Sequence, residues 1–190
     1  MRLNILMKTL AILMVLMVMT IAAVSAASVE EKRQAIRNVT TETLNEVYSA
    51  QPKARDAVAN AAGYAAFTIT DAKLVFFGGG GGKGMSVNNS TGQEIFMGTG
   101  DVQVGFGLGI KKYEVLFIFG TDAALSDFGN NGWELGGQAT LAATDSVSGG
   151  SLEGAVSVGP DIWMYQVTDK GLEASITVRG IRYFKDKSLN

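Results

Sequence analysis

The stretch that decides the fold runs from Gly63 to Gly84 and reads Gly-Tyr-Ala-Ala-Phe-Thr-Ile-Thr-Asp-Ala-Lys-Leu-Val-Phe-Phe-Gly-Gly-Gly-Gly-Gly-Lys-Gly. Its first part, as far as Phe77, is largely apolar and typical of a β-strand. The glycine run that follows predicts a flexible loop. Because glycine lets another segment approach closely, we expect this backbone to form a tight crossing or a glycine-lined bend.

The same glycines suggest a nucleotide site, which the flanking sequence opposes. Gly79, Gly81 and Gly84 satisfy the pattern Gly-x-Gly-x-x-Gly, but a dinucleotide site needs a helix next, and residues 86–92 read as a turn. A P-loop requires Ser or Thr after its lysine, and Lys83 precedes a glycine. We therefore predict no nucleotide. The alternative to a purely structural crossing or bend is a loop whose backbone amides and Lys83 bind a lipid phosphate.

The chain contains no histidine and no cysteine. This absence excludes imidazole-activated nucleophiles, thiolate and histidine metal sites, and redox dithiols. We predict no catalytic residue, no metal ligand and no cofactor. An enzyme of another kind would need two carboxylates roughly 5 to 10 Å apart across a cleft, and the acids of this chain form no recognised local arrangement.

The N-terminus predicts a signal peptide at residues 1–26. Two basic residues accompany an apolar core at residues 10–24, and a small-residue cleavage site ends at Ala26. We expect cleavage near Ala26 and an exported protein that is periplasmic or membrane-associated, with an uncleaved anchor as the alternative. Residues 27–190 have a length suited to a single domain.

The charge of the mature chain limits its partners. Without residues 1–26, 14 basic and 18 acidic residues remain, a net charge of about −4. Nucleic-acid binding needs an excess of Lys and Arg on one face, so we predict no nucleic acid. Any contact with an anion must be local.

The apolar periodicity changes from helical to strand-like after Gly63. A capping box at Ser28 and Glu31 begins a predicted helix over residues 29–49, and a second is predicted over 52–62. Farther along, we predict a turn at 111–114, a helix from Thr121 to Phe128, and strands at 115–119, 133–143, 154–158, 162–167 and 172–184. The fold class is therefore α+β, with N-terminal helices packed on a strongly curved, barrel-like antiparallel β-sheet.

A further predicted strand, at residues 101–110, places apolar residues on one face and glycines and polar residues on the other. Val102, Val104, Phe106, Leu108 and Ile110 share one face, and three glycines, at positions 105, 107 and 109, lie on the other. Such glycines admit a close neighbour, either backbone or side chain.

The order of segments resembles the SYLF-domain family over residues 55–186, and small exported bacterial members in particular. The resemblance rests on Ala62-Gly63-Tyr64-Ala65-Ala66-Phe67, the glycines ending at Gly84, Val104-Gly105-Phe106-Gly107-Leu108-Gly109, Gly132-Trp133-Glu134-Leu135-Gly136, Lys170-Gly171-Leu172 and the segment from Gly180 to Asp186. It implies a non-enzymatic, lipid-binding domain. Thr68 departs from the family, whose members commonly have proline there.

We accordingly expect an exported, non-enzymatic module that associates with anionic phospholipid or a membrane surface through a local basic patch. The alternative is a structural or protein-interaction domain of the cell envelope, which receives an envelope protein on its glycine-lined sheet face. The candidate lipid-binding residues are Lys73, Lys83, Lys111 and Lys112, with Lys32, Arg33 and Arg37 of the first helix as further candidates.

Overall fold

The computed structural model describes residues 28–135, 152–168, 171–173 and 180–190. These residues form one antiparallel sheet with helices, and the predicted α+β, barrel-like class is confirmed. The helices are α1 (28–50), α2 (Ala54–Asn60) and α3 (Asp122–Asn131); the strands are β1 (Gly63–Asn88), β2 (Glu94–Phe119), β3 (Trp133–Leu135), β4 (Val156–Gly159), β5 (Ile162–Thr168), β6 (Gly171–Glu173) and β7 (Ile181–Lys185). The described strands follow the order β3-β7-β2-β5-β4, with β1 added on β2 and β6 on β5.

A long two-stranded ribbon organises the whole sheet. Strands β1 and β2 contain 26 residues each and pair from Gly63 with Phe119 as far as Val87 with Glu94. Fully extended, such a ribbon would measure about 85 Å, roughly twice the diameter of a compact domain of this size. The ribbon must therefore bend strongly to stay within the domain.

The ribbon folds back so that the two halves of β1 face each other. A Cβ atom placed on Gly78 would lie 2.7 Å from the carbonyl oxygen of Ala72. A Cβ on Gly82 would collide with the carbonyl of Thr68, and one on Gly84 with that of Ala66. These alternate glycines let the second half of β1 lie directly against its first half.

The bend itself lies between Val75 and Phe77, where the register between the two strands shifts. Two residues of β2, 105 and 106, lie opposite Phe76 there, which is the arrangement of a β-bulge. Val75 has a positive φ of 55°, a conformation that β-branched residues rarely adopt. We call residues 74–77 and 106–110, which form the bent end, the tip.

Two local predictions are wrong. The glycine run is not a loop, because residues 78–84 continue β1 and pair with β2. Lys111 to Glu114 is not a turn either, since all four residues lie within β2 opposite residues 68–71. Of the two expected forms of the glycine segment, the tight backbone crossing is confirmed, because Gly78, Gly82 and Gly84 lie against the first half of β1.

Aromatic side chains fill the interior of the folded sheet. The rings of Phe67 and Tyr183 have centroids 4.9 Å apart, and those of Phe117 and Tyr183 are 5.0 Å apart. Phe128 of α3 closes the group, 5.0 Å from Phe119. The predicted burial of residues 115–119 on both sides is confirmed, because Phe117 and Phe119 face this interior while Leu116 and Ile118 pack in a second cluster.

Helices α1 and α2 cover the outside of the sheet, as the predicted packing of the N-terminal helices on the sheet requires. Val47 of α1 and Val58 of α2 pack with Leu116 and Ile118, and Ile36 of α1 packs with Met85, Phe96 and Leu189. The predicted helices at 29–49 and 52–62 are confirmed with small shifts at their ends. Strands β3, β4, β5, β6 and β7 of the C-terminal half lie within the predicted strands or extend at most one residue beyond them. Residues 136–143 and 174–179 of those predictions lie outside the described residues.

The predicted cap of α3 is also confirmed. The Thr121 hydroxyl accepts a hydrogen bond from the amide of Ala124, at 3.3 Å. We expect Thr121→Ala to lower the free energy of unfolding by about 1 kcal/mol, because an amide of the first turn loses its partner. Urea unfolding measures the change. Thr121→Ser keeps the hydroxyl and should restore most of it, and equal losses in both variants would contradict the capping role.

Candidate functional site

The tip exposes large apolar side chains to solvent. Leu74 is 73% exposed, Phe77 70%, Phe106 79%, Leu108 74% and Ile110 77%. Val102, farther along β2, is 84% exposed. Soluble proteins rarely present contiguous apolar patches of this kind without an interaction partner.

Exposure at the tip involves both faces of the ribbon. The four consecutive residues from Leu74 to Phe77 are all exposed, by between 40% and 73%. Neighbouring residues of a strand point to opposite faces. The Phe76 and Phe106 rings make an edge-to-face contact with centroids 5.8 Å apart, which gives the tip an aromatic pair.

Three of the seven candidate basic residues lie beside this tip. Lys73 pairs with Gly109, and its side chain crosses Gly107, where an added Cβ would lie 3.0 Å from the lysine Cδ. Lys111 follows Ile110 directly and is exposed. Lys112 is 60% exposed and forms an ion pair with Glu114, with Nζ 3.2 Å from Oε1. A surface pair of this kind contributes little free energy, so Lys112 can exchange partners readily.

The other candidate residues lie toward the joined end of the ribbon, where residues 89–93 connect β1 to β2. Arg33 donates to the carbonyl of Leu189 at 2.8 Å. Arg37 bridges Glu30 and Glu94, with nitrogen to oxygen distances of 2.7 and 2.9 Å. These arginines tie α1 to the sheet and the C-terminus, which is a structural use of their charge.

Lys83 and Lys32 share an environment near the C-terminus. The pKa of Asp186 is lowered, chiefly by a hydrogen bond from the Ser188 hydroxyl, and the charges of Lys83 and Lys32 lower it further. Lys83 pairs with Gly98, next to β7. The structure therefore separates Lys83 from the lysines of the tip.

A layer of polar groups lies between the aromatic interior and the tip. Asp71 is 4% exposed, and the Tyr113 hydroxyl donates to its Oδ1 at 3.5 Å. Asp71 and Asp101 both reach the same glycine, Gly80, where an added Cβ would contact both carboxylates. Since Asp71 is buried, these acids do not flank an open cleft like those in which carboxylate pairs catalyse hydrolysis.

Tyr183 reaches this layer with a buried hydroxyl that has no hydrogen-bond partner among the described residues. Burial raises the pKa of Tyr183 well above its usual value, and neighbouring Tyr113, Asp101 and Asp71 raise it further. The folded protein therefore keeps the phenol neutral where an unfolded chain would ionise it.

We expect Tyr183→Phe to maintain or raise the free energy of unfolding near pH 7, because it removes an unsatisfied buried hydroxyl and keeps the ring. The sign of the pH effect follows from the raised pKa. The contribution of the neutral Tyr183 phenol to the free energy of unfolding is complete below about pH 10. It is lost as pH rises above that value, since only the unfolded state then releases the proton. Urea unfolding between neutral and alkaline pH should show a shallower alkaline loss in Y183F, and a clear loss at pH 7 would contradict the assignment.

The described cavities do not suggest a catalytic centre. One of about 570 Å³ lies between α2 and β5, where Lys53 pairs with Glu153 and the Tyr165 hydroxyl donates to the Glu153 carbonyl. Among the described residues, no three His, Cys, Asp or Glu side chains cluster as a metal site would require. In the same part of the chain, no helix has the length and apolar character needed to cross a bilayer.

Comparison with known proteins finds a family model and a relative with similar sequence. Residues 100–190 match the family model Ysc84, described as "Las17-binding protein actin regulator". The chain is 27% identical over 162 residues to Beta cell expansion factor A of Aeromonas veronii, an alignment that covers 85% of this chain and 60% of that relative. The chain thus spans less than two thirds of the relative's length.

The matched family is one of binding and regulatory domains and is not a known enzyme family. Over residues 100–190 the match to the Ysc84 (SYLF) family model confirms the resemblance to the SYLF-domain family that the sequence motifs predict.

The sequence prediction named basic residues as candidates for the site, and it did not name the exposed apolar side chains that the structure places beside three of them. The sequence signal for these apolar side chains is the alternation of residues 102–110, where apolar residues share one face and glycines the other. That pattern usually marks a buried face, and here the bend carries the apolar face outward.

Proposed function

We propose that this protein is an exported, non-enzymatic module that docks reversibly on anionic membrane surfaces through the bent end of its ribbon. The observation that carries the proposal is the position of Lys73, Lys111 and Lys112 beside an exposed apolar tip. Lipid binding is known within the family whose model matches residues 100–190.

The charges at the tip suit a weak and reversible attachment. A lysine close to an anionic leaflet contributes about 1 kcal/mol, so three lysines contribute about 3 kcal/mol, or roughly a hundredfold in affinity. The mature chain is acidic, with a net charge near −4, and without the three lysines 11 basic and 18 acidic residues remain, a net charge of about −7. An anionic surface therefore repels most of the domain and attracts the tip, which orients the domain during docking.

Export is part of the proposal and rests on residues 1–26, whose charged start, apolar core and small-residue cleavage site form a signal peptide pattern. The proposed location is periplasmic or membrane-associated, with cleavage near Ala26. Radiolabelled or mass-spectrometric N-terminal analysis of the secreted chain identifies the cleavage point.

Vesicle co-sedimentation of the mature chain tests the docking. The mature chain is required because residues 10–24 are apolar and would enter lipid on their own. We expect binding to vesicles with about 30% anionic lipid at low ionic strength, release at about 0.5 M salt, and little binding to neutral vesicles. Binding that salt does not change, or no binding to any composition, would contradict the electrostatic proposal.

The alternative, an envelope protein-interaction domain, has support in the family description, which names a protein partner. The glycine-lined face that was its expected binding surface is partly covered. The Lys73 side chain crosses Gly107, whereas an added Cβ on Gly109 would meet nothing within 4 Å. A stoichiometric protein partner recovered from envelope extract, together with no vesicle affinity, would favour this alternative.

A further inference from the structure

We infer that the tip enters the bilayer as an apolar wedge, with Lys73, Lys111 and Lys112 remaining at the level of the headgroups. The inference rests on the proposed function and adds to it. Docking by lysines alone would leave the apolar side chains in water, whereas insertion removes them from it.

The two-sided exposure of the tip selects lipid over a protein surface. A protein partner or a second copy of this chain would pack on one face of the ribbon. Here Leu74 to Phe77 leave both faces bare, with each residue at least 40% exposed. Lipid chains can surround a ribbon on both faces, so a bilayer removes more of this apolar area from water than a one-sided protein contact.

The distribution of charge along the ribbon fits the depth of a membrane interface. The apolar residues of β2 from Phe106 to Ile110 precede Lys111 directly, and Lys73 precedes Leu74 on the paired strand. Four to five residues of strand measure about 15 Å, so a tilted tip reaches the 5 to 10 Å at which interfacial elements bury their apolar face. The lysine stems are long enough to place their ammonium groups among the lipid phosphates.

The backbone pairing at the tip is compatible with insertion. Leu74 pairs with Leu108, Val75 with Gly107 and Phe77 with Val104, so the inserted section is paired across the ribbon on both sides of the bulge at Phe76. Unpaired backbone groups are the main obstacle to placing a strand in hydrocarbon. A shallow wedge whose edges remain near the headgroups avoids most of that cost.

The absence of cysteine from the chain permits a direct test. We would prepare L74C and L108C at the tip and T91C at the joined end, all at exposed positions, and label each with an environment-sensitive fluorophore. The probes are vesicles with about 30% anionic lipid, prepared with and without brominated acyl chains. Sedimentation of the same samples reports docking independently of insertion.

The inference predicts a blue shift and quenching by brominated chains at positions 74 and 108, and neither change at 91. Sedimentation without a blue shift at the tip would overturn insertion and leave surface docking standing. No sedimentation would overturn the proposed function and, with it, the inference. A blue shift at 74 or 108 that appears without vesicles and grows with protein concentration would show that a second copy covers the tip, which also overturns the inference.

Substitution of the tip provides a second readout that does not depend on labels. The double change Phe77→Ser and Leu108→Ser should weaken vesicle binding at least tenfold, because each large apolar side chain loses its transfer out of water. Both side chains are at least 70% exposed, so the fold does not depend on them. Phe184→Ser is the matched control: this aromatic side chain is 46% exposed on β7, away from the tip, and its loss should leave the affinity unchanged. Unchanged binding in the tip variant would contradict insertion.

Discussion

Gly84→Ala is expected to lower the free energy of unfolding by about 3 kcal/mol or more, a large fraction of the stability of a domain of this size. The added Cβ would collide with the carbonyl of Ala66 and lie 2.5 Å from Cδ1 of Phe67. Neither neighbour can move easily. The carbonyl belongs to paired backbone of β1, and the Phe67 ring is fully buried against Tyr183 and Phe117.

Gly81→Ala is the matched control for this prediction. It lies three residues away in the same strand, and its added Cβ would meet only the carbonyl of Thr99, at an ordinary 3.4 Å. Alanine restricts the unfolded chain more than glycine, so G81A should be neutral or stabilising by up to about 1 kcal/mol. Thermal and urea unfolding compare the two. Similar stability in G84A and G81A would contradict the folded-back ribbon.

Reversing the three lysines of the tip to glutamate is expected to weaken binding to anionic vesicles by at least a hundredfold. Each of Lys73, Lys111 and Lys112 contributes about 1 kcal/mol of attraction near an anionic leaflet, and each glutamate adds repulsion in its place. Lys111 and Lys112 are exposed, and Lys112 loses only a surface ion pair with Glu114. The fold should therefore persist, which circular dichroism would verify.

A control with the same change in net charge separates position from total charge. Lys53, Lys83 and Lys187 are exposed and lie away from the tip, so their triple reversal should reduce affinity far less. The measurement is the vesicle concentration that binds half of the protein, at low ionic strength. Equal losses in the two triple variants would show that docking depends on total charge and not on the tip.

Local sequence patterns were sufficient for the helices and for the fold class. The capping threonine of α3 and the capping box and helical periodicity of α1 are short-range signals, and each leads to the observed element. The continuous apolar run at 115–119 also indicated its double burial, between the aromatic interior and the helices.

The length of the ribbon was not predictable in the same way. Glycine runs and paired lysines are typical of loops and turns, yet residues 78–84 and 111–114 lie in strands. Their conformation depends on distant partners: Gly84 lies against Ala66, and Lys111 pairs with Asp71. A window of neighbouring residues carries no information on such contacts.

The candidate site likewise combines a feature that the local sequence shows, its lysines, with one that depends on distant partners, the position of those lysines in the fold. Lysines were selected by charge alone, and charge does not tell which end of the ribbon a residue occupies. The fold brings Lys73 and Lys111 together, because residue 73 pairs with 109, two positions before 111. It places Arg37 at the other end, where Glu94 and Glu30 bind it.

Hydrogen–deuterium exchange on the vesicle-bound mature chain tests most directly that the bent end is the membrane-facing end. The account predicts that anionic vesicles slow exchange in peptides covering residues 72–77 and 106–111, and leave residues 88–94 and α1 unchanged. Slowed exchange at the joined end or along α1, with none at the tip, would contradict it.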